Sequence, residues 1–167
     1  MNVSVTTYSV DCYGDTDGSA DVDATGGVGG YAYFWEPGGL TTDSISNQNA
    51  GTYTVTVKDE DGAGCQAVSL MDNIYSPPTI STPVITNSVS CFGLCIGSTT
   101  VAPTGGVPPY NYLWAQGAFT QSTAIATGLC AGSVTLTVTD SKGCDKVGSG
   151  PMLEPPPLTY TLSTMNV

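Results

Sequence analysis

Cysteine is the residue type with the most specific chemistry in this chain, and the 167 residues contain six of them. Cysteines form disulfides in oxidising compartments, or bind zinc where they occur as Cys-x2-Cys pairs or beside histidines. This chain has one Cys-x3-Cys motif and no histidine. The pattern therefore favours disulfides over a metal site, and an extracellular location over a reducing compartment.

The cysteines recur with an internal repeat of the sequence. Residues 12–65 and 91–144 align, and from Cys12 to Tyr31 the alignment runs without a gap at a shift of 79 residues. The shared positions are turn glycines, strand aromatics and cysteines, and no set of catalytic residue types recurs with them. A repeat of this length indicates modules in tandem.

Pairing within each copy is the simplest disulfide arrangement, because the corresponding cysteines of both copies are 53 residues apart. Two cysteines of the second copy replace Thr16 and Asn49 of the first, which suggests that they were gained together as a third pair. The predicted pairs are Cys12–Cys65, Cys91–Cys144 and Cys95–Cys130.

Clustered carboxylates are the second candidate chemistry. The segment Asp15–Asp23 holds four aspartates around a Gly-Ser turn, as calcium loops do. It lacks the bidentate glutamate of an EF-hand, and the second copy has Leu94, Cys95 and Ile96 at the corresponding turn. A solvated turn is the favoured interpretation here and for the acidic turn at residues 59–62, so no metal ligand is predicted.

Catalytic chemistry finds little support in the sequence. The chain has no histidine, no Ser-His-Asp order and no phosphate-cradling glycine loop, and the predicted pairing leaves no cysteine as a nucleophile. We therefore predict no catalytic residue, no cofactor-binding residue and no cofactor, and we expect that the protein is not an enzyme.

Charge narrows the range of partners. Three lysines and no arginine face 14 acids, which gives a net charge of −11 and disfavours nucleic acids and anionic membranes as partners. Residues 1–76 hold eleven acids and one lysine, a net charge of −10, whereas residues 77–154 hold three acids and two lysines, a net charge of −1. Charge is therefore not a shared function of the two copies.

Neither a membrane span nor a secretory signal is apparent in the sequence, because the chain has no long apolar run and no basic N-terminal region. We expect a processed product or a piece of a longer secreted protein.

Alternating apolar and polar residues predict short β-strands and no helix. The segments YAYFW and YNYLW place Tyr31, Tyr33 and Trp35, and their counterparts Tyr110, Tyr112 and Trp114, on one face that we assign to the core. Polar linkers follow them, and then the strands GTYTVTVKD and GSVTLTVTD. About seven strands per copy indicate an all-β chain of two tandem immunoglobulin-like β-sandwiches, stapled by disulfides. The predicted domains are residues 1–76, residues 77–154, and residues 155–167 as a linker and an orphan strand.

Both copies share an ordered set of short motifs: Cys-x-Gly, Gly-Gly-Val-x-x-Tyr-x-Tyr-x-Trp or its Pro-Pro variant, Ala-Gly followed by Thr-Val-x-Asp, Gly-Cys and a proline pair. This order resembles the SprB-type repeat of large bacterial cell-surface adhesins. The resemblance implies a tandem module of very long secreted proteins, without an active site of its own. The first copy departs from the pattern at Gly29-Gly30, and the second in Cys95 and Cys130.

The two ends of the chain share the tripeptide Met-Asn-Val, at residues 1–3 and 165–167. The hypothesis that follows is a chain that forms one period of a longer array, joined head-to-tail to copies of itself. The link would be covalent, or made by the tail as a donated strand. The predicted function is a structural segment of an extracellular filament or stalk, and the alternative is an adhesin module that binds surface carbohydrate.

Overall fold

The regular structure of this chain is entirely β-strand in the computed structural model, which describes residues 1–28, 30–60 and 67–162. The first module holds six strands: β1 Asn2–Tyr8, β2 Gly18–Thr25, β3 Tyr31–Glu36, β4 Ser44–Gln48, β5 Gly51–Asp59 and β6 Ala67–Ile74. The second module holds seven: β7 Val84–Asn87, β8 Gly97–Val101, β9 Asn111–Gln116, β10 Phe119–Gln121, β11 Ile125–Leu129, β12 Gly132–Thr139 and β13 Asp145–Met152.

The strands of each module form two antiparallel sheets. In the first module the sheet orders are β1-β2-β4 and β3-β5-β6, and in the second they are β7-β8-β11 and β10-β9-β12-β13. In each module the second strand therefore pairs with a strand distant in sequence, β2 with β4 and β8 with β11. The third strand pairs with the hairpin formed by the last two strands of its module. This is the strand order of immunoglobulin-like sandwiches, which also carry a buried tryptophan on the third strand. The predicted fold class is confirmed.

The central strands follow from simple alternation. In β5 the buried residues Tyr53, Val55 and Val57 alternate with threonines on the opposite face, and β12 repeats the pattern with Val134, Leu136 and Val138. β-Branched residues fit a pleated, half-buried surface, and the period of two selects which face is buried.

The polar stretches after each tryptophan were predicted as linkers, and this prediction was wrong. They contain β4 in the first module, and β10 and β11 in the second. Few apolar side chains of these strands are fully buried in the cores, namely Ile45 of β4 and Ala126 and Leu129 of β11. Both β4 and β11 also contain an irregular register against their neighbours. A strand with so few inward positions shows no clear period.

The tail was predicted to form an orphan strand. Leu158 to Leu162 form no strand, and their apolar side chains are nearly fully exposed. Residues 163–167 of the predicted strand lie outside the described residues. A single β-strand has no partner for its backbone groups, so an extended pattern without a neighbouring edge does not produce one.

Each module has its own hydrophobic core. The first is built around Trp35 with Val55 and Val57, and the second around Trp114 with Leu136 and Val138. The chain divides into the compact units Met1–Thr79 and Ile80–Val167. The predicted assignment of Tyr31, Tyr33, Tyr110 and Tyr112 to the core face is correct, because all four are partly buried and pack against these clusters.

Candidate functional site

A buried aspartate lies at one end of the second module, where β12 meets the turn that leads to β13. Asp140 is 2% exposed. Its Oδ2 accepts a hydrogen bond from the Val107 amide at 2.8 Å, and its Oδ1 accepts from the Lys142 and Cys144 amides at 2.9 and 3.0 Å. The carboxylate therefore ties the Gly105–Val107 turn to the β12–β13 turn. We call this arrangement of Asp140 with its two turns the clasp.

The first module has the corresponding contact between its aspartate and the glycine turn. Asp59 is 5% exposed, and its Oδ2 accepts from the Val28 amide at 3.1 Å. In both modules the glycine before the valine has a positive φ, +81° at Gly27 and +63° at Gly106. A Cβ atom at Gly27 would collide with the Asp59 carboxylate, and one at Gly106 would lie 2.7 Å from Asp140 Oδ2. The repeated Gly-Gly-Val and Thr-Val-x-Asp motifs are thus the two halves of one contact.

The charge state of Asp140 follows from its burial and its hydrogen bonds. Burial raises the pKa of the Asp140 carboxyl, but hydrogen bonds from the backbone amides of Val107, Cys144, Lys142 and Gly143 outweigh it, and the pKa lies below its usual value. The group is therefore charged when the module is folded. The interpretation of residues 59–62 as a solvated acidic turn was wrong at Asp59, which is buried and accepts a hydrogen bond from the Val28 amide, while residues 61 and 62 lie outside the described residues.

Side-chain hydrogen bonds of the repeated tyrosines and tryptophans recur in both modules. The Tyr110 hydroxyl donates to the Gly105 carbonyl, and Tyr31 donates to the Gly26 carbonyl in the same way. The indole N–H groups of Trp35 and Trp114 donate to the carbonyls of Thr42 and Thr123, at 2.9 and 2.8 Å. The repeated positions Tyr31/Tyr110 and Trp35/Trp114 are therefore structural, and their hydroxyl and indole N–H groups already donate within the module.

The predicted calcium-like segment Asp15–Asp23 does not converge on a centre. Asp17 accepts hydrogen bonds from the Asp11 amide and thereby closes the turn after β1, while Asp21 and Asp23 lie further along β2. Within the described part of the chain, no group of three or more potential metal-ligating side chains comes together. The absence of metal, catalytic and cofactor residues remains a prediction.

The cysteine predictions have mixed outcomes. Cys95 and Cys130 form a disulfide, as predicted, which joins the β7–β8 loop to the end of β11. Cys12 is also disulfide-bonded, and its predicted partner Cys65 lies outside the described residues. The predicted pair Cys91–Cys144 was wrong, because Cys91 is an exposed free thiol whereas Cys144 is disulfide-bonded.

Strand direction explains the error. Cys144 lies in the clasp, just before β13, whereas the Val89 amide, two residues before Cys91, bonds to the Leu153 carbonyl just after β13. β13 has eight residues, so it separates the two cysteines by about 25 Å at roughly 3.3 Å per residue. A disulfide requires Cα atoms within about 7 Å. The two cysteines therefore lie at opposite ends of the module, although their spacing in sequence equals that of Cys12 and Cys65.

Exposed aromatic side chains are the remaining candidates for binding. Tyr8, Tyr13 and Tyr75 are each more than half exposed in the first module, as is Phe92 in the second. The Val10 amide donates to the Tyr75 carbonyl at the end of the module opposite the clasp. Tyr8 and Tyr13 lie two and three residues from Val10 in the sequence, so all three tyrosines belong to segments that meet at this contact. None of the described residues forms a helix long and apolar enough to cross a membrane.

This chain resembles known proteins mainly through the sequence of its repeats. A search of curated proteins found no match. Among solved structures, the amphioxus IgVJ-C2 molecule matches with 16% sequence identity and a TM-score of 0.38, over 89% of this chain and 95% of that one. The SprB repeat family model matches residues 4–40 and 84–119, which contain β1 to β3 and β7 to β9. The resemblance seen in the sequence is confirmed, because the family model matches one segment in each module, consistent with two tandem copies of the repeat.

Proposed function

We propose that this chain is a structural segment of an extracellular filament or stalk, of the kind that displays a bacterial cell-surface adhesin. The SprB repeats indicate a repeat segment related to such adhesins. The observation that carries the structural role is that the aspartate and tryptophan positions recurring in both modules make hydrogen bonds within their own module. What is repeated is scaffold.

The second module has features that resist unfolding, which suits a structural role. A disulfide pins its β7–β8 loop, and its core is buried around a fully enclosed tryptophan. Disulfides of this kind persist in oxidising surroundings outside the cell. A stalk needs resistance to unfolding and proteolysis more than it needs a reactive group, so we propose that the protein is not an enzyme and requires no cofactor.

The proposed partners are further copies of the same unit, joined head-to-tail. The predicted division into residues 1–76, 77–154 and 155–167 would make the last segment the connection to the next unit. Two forms of this connection remain distinct: one long polypeptide, or separate chains joined by a donated strand.

A denaturing gel of reduced, boiled surface material, with electron microscopy of the same preparation, tests the proposal. Fibres with a two-module period are expected, and globular particles without fibres would contradict the structural role. A band near 17 kDa would identify separate subunits, and much larger material a single polypeptide.

Carbohydrate binding is the second candidate function, and the exposed tyrosines favour it. Aromatic rings on a surface stack against sugars, and Tyr13 and Tyr75 are each about two-thirds exposed. A glycan array with the full chain tests this function, with Tyr13→Ala/Tyr75→Ala as the binding-deficient variant and Phe34→Ala as the control on another exposed aromatic. Binding that both variants retain would argue against the tyrosines.

A further inference from the structure

Three cysteines of the second module lie at the same end of it. Cys95, in the loop between β7 and β8, forms a disulfide with Cys130, which directly follows β11. Cys91 precedes Cys95 by four residues in the same loop, and it is a free thiol. All three residues are exposed. A nucleophilic sulfur and a disulfide therefore share one surface, and we call these three residues the cysteine trio.

A tight turn folds the loop back between Cys91 and Cys95. The Leu94 amide donates to the Cys91 carbonyl at 3.3 Å, and Gly93 has a φ of +73°. A bond between residues three apart closes a β-turn, whose first and last Cα atoms are less than about 7 Å apart. Cys95 follows that turn directly, and consecutive Cα atoms are about 3.8 Å apart. A disulfide needs Cα atoms within about 7 Å, so a Cys91–Cys95 bridge requires a movement of at most about 4 Å in an exposed turn.

Hydrogen bonds support both sides of the existing bridge. On one side, the Cys130 amide donates to Gln116 Oε1 at 2.9 Å, and the Cys130 carbonyl accepts from Gln116 Nε2 at 2.7 Å. On the other side, the Gly93 amide donates to a Glu154 carboxylate oxygen at 2.8 Å. Neither segment is positioned by the disulfide alone. The sulfur of Cys95 can therefore change its partner while the surrounding strands stay paired.

Thiol–disulfide exchange is the reaction that this arrangement allows. The Cys91 thiolate attacks the Cys95 sulfur, a Cys91–Cys95 bond forms, and the electron pair of the broken bond leaves on the Cys130 sulfur. Cys91 gives up a proton to solvent and Cys130 takes one up, so the numbers of thiols and disulfides do not change. No oxidant or reductant is consumed. Exposed disulfides belong to the labile class, and the thiolate is the attacking form.

The first module lacks this chemistry, although it has the same turn. There the Asp15 amide donates to the Cys12 carbonyl at 3.1 Å. Cys12 is itself disulfide-bonded, and Thr16 and Asn49 occupy the positions of the other two cysteines. The fold thus forms this loop without a free thiol beside a disulfide. The cysteine trio is specific to the second module.

We propose that the cysteine trio is a thiol–disulfide exchange site, in which Cys91 transfers the bridge from Cys95–Cys130 to Cys91–Cys95. This reactivity goes beyond the proposed stalk and does not rest on it. It makes the crosslink of the second module transferable within one chain.

The state of the module decides which bridge prevails. In the folded module Cys95 and Cys130 are held in contact, so their bridge is favoured. In the unfolded chain that bridge closes a separation of 35 residues, whereas Cys91–Cys95 closes one of four. Loop-closure entropy grows as (3/2)RT ln n, which favours the shorter bridge by about twentyfold. Unfolding of the second module therefore transfers the bridge, and the Cys130 thiol that it releases marks a module that has been unfolded.

Locating the free thiol in the full chain tests the exchange. The chain is incubated at mildly alkaline pH, in buffer or in concentrated urea, and its thiols are trapped by rapid alkylation and identified by mass spectrometry. In buffer the trio should carry its label mainly on Cys91. In urea the label on Cys130 should exceed that on Cys91 by at least about tenfold. The matched control is Cys91→Ser, in which neither Cys95 nor Cys130 should be labelled.

Dilution distinguishes exchange within the trio from reactions between chains. The rate of label transfer in urea should stay constant over about a hundredfold dilution, because both sulfurs belong to one chain. A rate that rises with protein concentration would overturn the proposal. So would a label that stays on Cys91 in urea, a label that moves to Cys95, or a label on Cys130 in the Cys91→Ser chain. The comparison in urea does not require the variant to fold, and near-ultraviolet circular dichroism checks its fold in buffer.

Discussion

At the scale of single residues, the buried Asp140 joins two turns of the second module through hydrogen bonds to three backbone amides. Asp140→Asn keeps the shape of the side chain but removes its charge and turns an amide N–H₂ toward backbone donors. We expect a loss of about 3 kcal/mol, because hydrogen bonds to a buried charged group are strong and an unsatisfied donor is costly. Hydrogen exchange of β12 peptides at increasing urea measures it. Asp145→Asn, at an exposed carboxylate, is the control and should change stability by less than about 0.5 kcal/mol.

The same aspartate predicts a dependence on acid. Its pKa in the folded module lies below its usual value, because backbone hydrogen bonds outweigh the effect of burial. Stability from such a group is fully present above the pKa of the unfolded chain, and is lost as pH falls from there through the lower folded pKa. The second module should therefore lose stability below about pH 4, and Asp140→Asn should lose less over that interval. An equal acid dependence in both chains would contradict the role of the charge.

The glycine that faces this aspartate separates steric cost from backbone strain. Gly106→Ala places a Cβ atom 2.7 Å from both Asp140 Oδ2 and Ile80 Cγ1 at a φ of +63°. Gly117 has nearly the same φ, +60°, and no atom within 4 Å of a Cβ. Gly117→Ala should cost about 1 kcal/mol from backbone strain alone, and Gly106→Ala about 3 kcal/mol in all. Similar losses of urea stability in the two variants would show that the close packing is unimportant.

Part of the clasp could be anticipated from the sequence. The acids of the first copy are mostly replaced in the second, yet Asp59 and Asp140 both follow Thr-Val-x. That persistence was the available signal, and the local composition of residues 59–62 hid it. The partner amides could not be predicted, because they come from a turn that lies 33 residues away from Asp140 in sequence.

At the scale of elements, the Cys95–Cys130 disulfide is the largest difference between the modules. Cys95→Thr/Cys130→Asn restores the residues that the first copy has at these positions, so it removes the link without a residue type foreign to the fold. The bridge spans 35 residues, and the chain-entropy model values such a link at about 4 kcal/mol. Urea unfolding read on β12 should show most of that loss, with β5 unchanged as the internal control. A change in β5 as large as that in β12 would contradict a local role.

Elements also show where sequence reasoning succeeds. The strands β5 and β12 were predicted because they lie at the centre of a sheet and bury every second residue. The strands β4, β10 and β11 were missed because their stability comes from pairing with β2, β9 and β8, and few of their own side chains reach a core. The error in the Cys91–Cys144 pair has a related cause. Which cysteines can meet depends on the direction in which the intervening strand runs, and spacing in sequence does not encode that direction.

At the scale of the whole molecule, two similar sandwiches differ in charge and in crosslinking, and heating should reveal both differences. We expect two calorimetric transitions, with the first module unfolding at the lower temperature. The additional disulfide stabilises the second module by about 4 kcal/mol, and 1 kcal/mol shifts the Tm of a domain this size by roughly 4–8 °C. The first module has a net charge of −10 over residues 1–76, and this self-repulsion lowers its stability further.

Salt and one variant assign the two transitions. Added salt screens repulsion between exposed charges, so the lower transition should rise between low salt and about 0.5 M sodium chloride, where the screening length falls to a few ångströms. The upper transition belongs to a module with a net charge of −1 over residues 77–154, and it should move little. Cys95→Thr/Cys130→Asn should lower the upper transition and leave the salt response of the lower one intact. If that variant lowered the salt-sensitive transition instead, the order of stability would be reversed, and the crosslinked module would not be the durable half of the unit.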